Sequence, residues 1–209
     1  MTVSPEIPDA VDRQVIHLFA LVAEAIARAT EALLGDDVAL AASVVDGDDE
    51  IDDLVAQVER LVWDRFADLP TAPADWRYLV LVLLILPELE RSADLAEHVA
   101  QRALTHLGRE MSPISRGVIQ RMGAAAIEMW RRVADSYADR EGVLDMMVED
   151  DEELDNLHDR ITHEVIAESM PVPVGAQVTL LARFYERLGD HAVNLARRIG
   201  TLPAPRPTA

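Results

Sequence analysis

Apolar residues return every three or four positions along almost the whole chain, and no stretch alternates apolar with polar at strand length, so the pattern predicts helices and no sheet. The clearest stretch is 178–199, VTLLARFYERLGDHAVNLARRI. Leu181, Phe184, Leu188, Ala192, Leu195 and Ile199 mark a single buried stripe along it. At about 100° per residue, Glu186 and Asp190 project roughly 160° from Leu188, so this helix is expected to display an acid pair on its outer face.

Six helices follow from the same periodicity and its punctuation. A loose 1–8 leads into 9–34, which stops at Gly35, and a second helix spans 37–68, ending before Pro70 and Pro73. Asp75 is placed to cap a third at 76–107. After an interruption at 108–112, Pro113 suits the first turn of a helix at 113–139, and Gly142 precedes another at 143–169. Pro171 and Pro173 separate it from the last helix, and a flexible tail, 201–209, closes the chain.

The chain also repeats itself. VDGDDEIDDLVAQV at 45–58 parallels VEDDEELDNLHDRI at 148–161, and PELERSADLAEHVAQR at 87–102 parallels RFYERLGDHAVNLARR at 183–198. The expected fold is therefore all-α, two tandem three-helix bundles at 9–108 and 112–200, together giving an elongated molecule.

The repeat places four acid pairs at i, i+4: Asp48 with Asp52, Glu90 with Asp94, Asp151 with Asp155, and Glu186 with Asp190. A single pair carries little weight, because 38 acids in 209 positions give about seven by chance, and most sit on solvated faces. Their register carries more. In an antiparallel hairpin, residues equally far from the turn lie level. Asp52 with Glu90 and Asp48 with Asp94 both centre on Thr71, and Asp155 with Glu186 and Asp151 with Asp190 both centre beside Pro171. Each hairpin is thus expected to gather four carboxylates on one patch, where like charges raise one another's pKa and a hard cation relieves the repulsion.

Charge and composition narrow the chemistry. The formal net charge is −19, and all 19 bases are arginine, which disfavours nucleic acid and anionic lipid and favours cations or basic protein surfaces. Cysteine is absent, removing disulfides, thiolate metal sites and Cys nucleophiles. The most apolar run, YLVLVLLILP at 78–87, is half a bilayer span, and no signal peptide is evident, so a cytoplasmic protein is expected.

The phrase YERLGDHAVNLARRI, the DxxxD on the preceding helix and the tandem halves resemble the PhoU family of phosphate-uptake regulators over about residues 11–199. The resemblance matches the family's E(D)xxxD signature to Glu186 and Asp190 and to Glu90 and Asp94, with Asp48 and Asp52, and Asp151 and Asp155, completing each half. It implies a non-enzymatic regulator that restrains phosphate-starvation signalling through the ATPase of the phosphate ABC transporter or the phosphate sensor histidine kinase. The same resemblance implies a homodimer that meets the membrane only through its partners. It also implies metal at the acid patches, an iron cluster or another ion, with Mg, Mn, Ca and Zn as alternatives. Three departures weaken the first patch: Ser92 and Ala93 replace Leu188 and Gly189, and Pro87 stands in a helix that should be continuous, where it favours a kink.

Other candidates are weaker. His98, His158 and His191 stand near the acid pairs and could join a metal shell, although a histidine on a helix is more often simply solvated. Trp63, Trp76 and Trp130 read as core or partner-facing aromatics. The alternative function is a metal-dependent enzyme or metal store on the same scaffold. Against it stand the lack of a Ser-His pair, of a phosphate-cradling Gly loop and of the Glu-x-x-His pairs of a di-iron bundle.

Overall fold

The computed structural model describes residues 6–67, 73–167 and 170–201. Pro70 and Thr71, the helix ends expected at Asp68 and Ser169, residues 1–5 of the leading segment and 202–209 of the tail lie outside the described residues. Among those described are six long helices and one short one: α1 (Glu6–Gly35), α2 (Val38–Ala67), α3 (Pro73–Leu104), α4 (Leu107–Glu110), α5 (Pro113–Asp139), α6 (Leu144–Ala167) and α7 (Val172–Ile199). None is long and apolar enough to cross a membrane.

Start and stop residues explain most bounds. Asp37 caps α2 by accepting a bond from the Leu40 amide at 2.9 Å, and Ser112 caps α5 through the Ser115 amide at 3.1 Å with Pro113 behind it. Two starts differ from the sequence expectation. α3 begins at Pro73 rather than after Asp75, and α7 takes in Pro173 and begins at Val172. The reason is shared: the first-turn N–H groups have no partner within a helix, so a proline there loses nothing. α4 occupies part of the expected interruption, and α3 passes Pro87 without a break in its helical assignment.

Helices α1, α2 and α3 pack as one bundle and α5, α6 and α7 as another, but the two share a continuous core through α1 against α5 and α3 against α7. Both inter-bundle contacts are antiparallel. Asp12 of α1 accepts bonds from Tyr78 and Tyr137 at 3.0 and 2.8 Å and pairs with Arg140 just past α5, while Thr30 at the far end of α1 meets α5 at Gly123. A Cβ on Gly123 would lie 2.6 Å from Thr30 Cγ2, so the glycine sets that approach. On the other seam Glu88 of α3 faces Arg198 of α7, and Arg102 of α3 lies over the Phe184 ring.

This second seam makes the buried face of α7 wider than a single stripe. Tyr185, Gly189, Val193 and Ala196 are buried beside Leu181, Leu188, Ala192 and Leu195, whereas Phe184 is only partly so. Tyr185 is fully enclosed and bonded at 2.9 Å to Thr30, whose own hydroxyl donates to the Ile26 carbonyl. Trp130 is likewise enclosed and donates to the Leu188 carbonyl at 3.0 Å.

Candidate metal centres on the two hairpins

In the α6–α7 hairpin the helices meet closely at Gly189. A Cβ there would stand 2.6 Å from Leu154 Cδ1 and 2.8 Å from Asp151 Oδ1, so the missing side chain lets Asp151 lie against the backbone of α7. Asp151 is pushed up to about 6, first by burial and then by Asp155, Asp190 and Glu186. Glu186 is also raised, chiefly by burial, with Asp190 and Asp155 adding to the effect and Arg183 and His158 opposing it. All four carboxylates therefore share one electrostatic neighbourhood.

Their exposure is unequal. Asp155 and Asp190 are open to solvent, but Glu186, expected to point outward, keeps only 12% of its side-chain surface and is clasped by Arg183 one turn earlier. Asp155 and His158 of the facing α6 act on it, so Glu186 stands beside α6 rather than on an open face. Asp151 Oδ1 and Glu186 Oε2 are buried without a hydrogen-bond partner, which is costly for a carboxylate.

The α2–α3 hairpin holds the equivalent set. Asp48 is pushed up to about 6 by burial and then by Asp52, Glu97 and Asp94; Asp52 is raised by burial and then by Asp94, and Glu90 by burial and then by Asp52 and Asp94. Ala93 stands where the other hairpin has Gly189. Ser92, buried, donates to the Glu88 carbonyl at 2.7 Å and bonds His191 Nδ1 at 2.8 Å across the inter-bundle seam. The Ser92 departure thus serves the seam rather than the acid patch.

That bond also corrects the reading of the histidines. His191 is enclosed between α3 and α7, with Nε2 3.9 Å from Glu88, so its ring serves the seam and not a metal shell; burial first, then Arg187 and Arg91, lowers its pKa. His98 stacks on Phe184 at the same seam, centroids 5.4 Å apart. His158 acts on the acid patch through Glu186, and His191 feels Asp190 from within the seam.

Carboxylate-only donors suit a hard cation, and the two orphaned oxygens of the α6–α7 patch are what such an ion satisfies. Among the described residues no three His, Asp or Glu side chains stand in a metal-holding arrangement as they lie. Joint ligation would require the carboxylates to rotate; Glu186 Oε2, the oxygen Arg183 does not hold, is the one left open to an ion.

The PhoU domain profile matches residues 15–103 and again 119–199, once for each bundle. The phosphate-specific transport system accessory protein PhoU homolog 2 of Mycobacterium tuberculosis is 31% identical over 179 residues, covering 84% of either chain. The PhoU homolog of Aquifex aeolicus is 34% identical over 180 residues, 83% of this chain and 80% of its own. The crystal structure of PhoU from Pseudomonas aeruginosa superposes with a TM-score of 0.84 at 24% identity, covering 93% of this chain and 95% of its own. That of Streptococcus pneumoniae PhoU, described as a phosphate transport system regulatory protein, gives 0.79 at 20% identity and 93% of each chain. At such identity the two crystal structures speak for the fold.

Proposed function

We propose, from the premise that the chain belongs to the PhoU family, that it is a non-enzymatic, cytoplasmic regulator of phosphate uptake and phosphate-starvation signalling. In this reading it restrains the phosphate ABC transporter, its sensor histidine kinase, or both, by docking to their cytoplasmic parts, and it acts as a homodimer. The observation that supports it is the repeated acid patch, presented on two packed hairpins. The fold does bring together a Ser-His pair the sequence did not show, Ser92 with His191, but Ser92 is fully enclosed in the seam between the bundles and donates to the Glu88 carbonyl, away from any open cleft. Asp151, Asp155, Glu186 and Asp190 would hold a hard cation, with Asp48, Asp52, Glu90 and Asp94 as a second and weaker set. Bound there, the ion supplies positive charge to a surface whose own acids repel. The protein's residues do the rest: Gly189 admits Asp151 to the α7 backbone, and Arg183 holds Oε1 of Glu186 while leaving Oε2 to the ion.

The test is genetic. Deletion of the gene is expected to raise starvation-gene expression in phosphate-rich medium, and unchanged expression would refute the phosphate assignment while leaving the fold untouched.

A further inference from the structure

Three aromatic side chains cluster at the end of the α2–α3 hairpin near the α2–α3 connection. Trp63 and Phe66 have ring centroids 5.6 Å apart, and Phe66 and Trp76 4.7 Å. Yet Trp63 is 60% exposed and Trp76 42%, and Val80 and Leu84 continue the exposed row along α3. The two indoles flank Phe66, which packs against the core, and their exposed faces leave apolar area for something else to cover.

The acids lie on the same face. At about 100° per residue, Asp48, Asp52, Glu59, Trp63 and Phe66 fall within roughly 60° of one another around α2, and Trp76, Val80, Glu90 and Asp94 within roughly 80° around α3. Arg60, Arg65 and Arg77 project about 60° or more outside those sectors, while Arg91 lies about 20° beyond the α3 sector and acts on Glu90. The hairpin therefore carries one track, aromatic at its tip and acidic beyond it, with Asp52, Asp94 and Glu59 all acting on Glu90.

The other hairpin shows what the track accepts. At the matching positions Ile166 and Val172 replace Trp63 and Trp76, both still exposed, at 79% and 83%. Arg183 replaces Pro87 and seats on Glu186. The chain thus seats a guanidinium directly on an acid of the second track, whereas in the first Arg91 acts on Glu90 without an ion pair among the described residues.

We infer that the outer face of the α2–α3 hairpin is a docking surface for a basic, amphipathic helical segment of a partner protein, its apolar end on Trp63, Phe66 and Trp76 and its Arg or Lys residues on Glu59, Glu90 and Asp52. Charge selects this occupant: a second copy would set acids of one −19 chain against those of another, and an anionic lipid surface would repel the same face. Helix-in-groove recognition needs this division, with apolar anchors for affinity and charge for register. The inference rests on the reading of the chain as a partner-binding regulator. Its test is a binding measurement on purified protein, so failure here would leave the genetic result on phosphate signalling standing, and the reverse.

The probe is a synthetic amphipathic peptide of about 18 residues, with Leu and Trp at one end and Arg along the rest, titrated calorimetrically into full-length protein with chelator present. Trp63→Ala/Trp76→Ala and, separately, Asp52→Asn/Glu90→Gln are each expected to weaken binding at least tenfold, the second also flattening its salt dependence. Ile166→Ala/Val172→Ala should change it less than twofold. All six side chains are exposed, and circular dichroism checks that each variant is folded. Equal binding by the tip variant would overturn the proposal in favour of diffuse attraction. A concentration-dependent dimer in sedimentation that Trp63→Ala/Trp76→Ala abolishes would overturn it in favour of a second copy. Vesicles of phosphatidylcholine and phosphatidylglycerol bound in a Trp63- and Trp76-dependent way would overturn it in favour of lipid.

Discussion

The two hairpins hold four carboxylates in the same register but surround them differently. In α6–α7, Gly189 admits Asp151 to the α7 backbone, Arg183 clasps Glu186, and two carboxylate oxygens are left buried and unpartnered. In α2–α3, Ala93 and Pro87 stand at those places, Glu59 and Glu97 add to the repulsion, and the tip is aromatic. Packing does not explain why the acids recur, because they lie outside the core while their neighbours have changed freely. The difference teaches that one acid register can sit in two settings, closed with unpartnered carboxylate oxygens where the helices meet at Gly189, and open beside exposed aromatics at the tip of the other hairpin.

The largest effect that would sharpen the contrast is steric. Gly189→Ala puts a methyl into Leu154 and Asp151, an overpacking cost of about 1–3 kcal/mol, against which the better helix propensity of Ala returns up to about 1 kcal/mol. The variant should be less stable in urea, although Ala is the better helix former. Ala93→Gly should cost about 1–2 kcal/mol, from helix propensity and from the lost burial of its methyl. If Gly189→Ala instead stabilised the protein, the close approach at Asp151 would be wrong.

Next comes the metal. Glu186→Gln/Asp190→Asn is expected to weaken Mn²⁺ binding in calorimetric titration by tenfold or more, about 1.4 kcal/mol or above. Glu90→Gln/Asp94→Asn should weaken it threefold or less. Equal losses would erase the asymmetry between the hairpins.

The smallest effect is on pH dependence. Asp48 and Asp151 titrate in the folded protein at about 6 but near 3.8 when free, so between those values the folded state binds protons that the unfolded chain does not. Their contribution to stability therefore rises as pH falls from about 6 toward 4, and levels off below. In chelator, Asp48→Asn/Asp151→Asn should melt above wild type at pH 7.5, by no more than about 2–4 °C, and the gap should close by pH 4.5. A gap that stayed constant would mean that the two acids are not held under repulsion.

Much of the fold was legible because its signals are local. Heptad-like apolar spacing, Gly35, Asp37, Ser112 and Pro113 each mark an element through nearest neighbours. The acid register was legible for the same reason, since an antiparallel turn converts sequence distance into height. What stayed hidden were lateral contacts. Ser92 looked like a defect in a patch when it is a partner of His191 on another helix, and Glu186 looked exposed when it stands beside α6. One signal could have shown part of this. Gly189 in mid-helix costs about 1 kcal/mol relative to Ala and so marks a close backbone approach.

The account's central claim is that the acid patches act through charge on a rigid helical body, and one complementation experiment tests it most directly. The Glu186→Gln/Asp190→Asn variant, expressed from its own promoter in the deletion strain, changes two charges and almost no volume. It is expected to accumulate and show wild-type circular dichroism yet fail to restore repression of starvation genes in phosphate-rich medium. Full restoration of repression by that variant would contradict the claim and leave the acids as a solvated face.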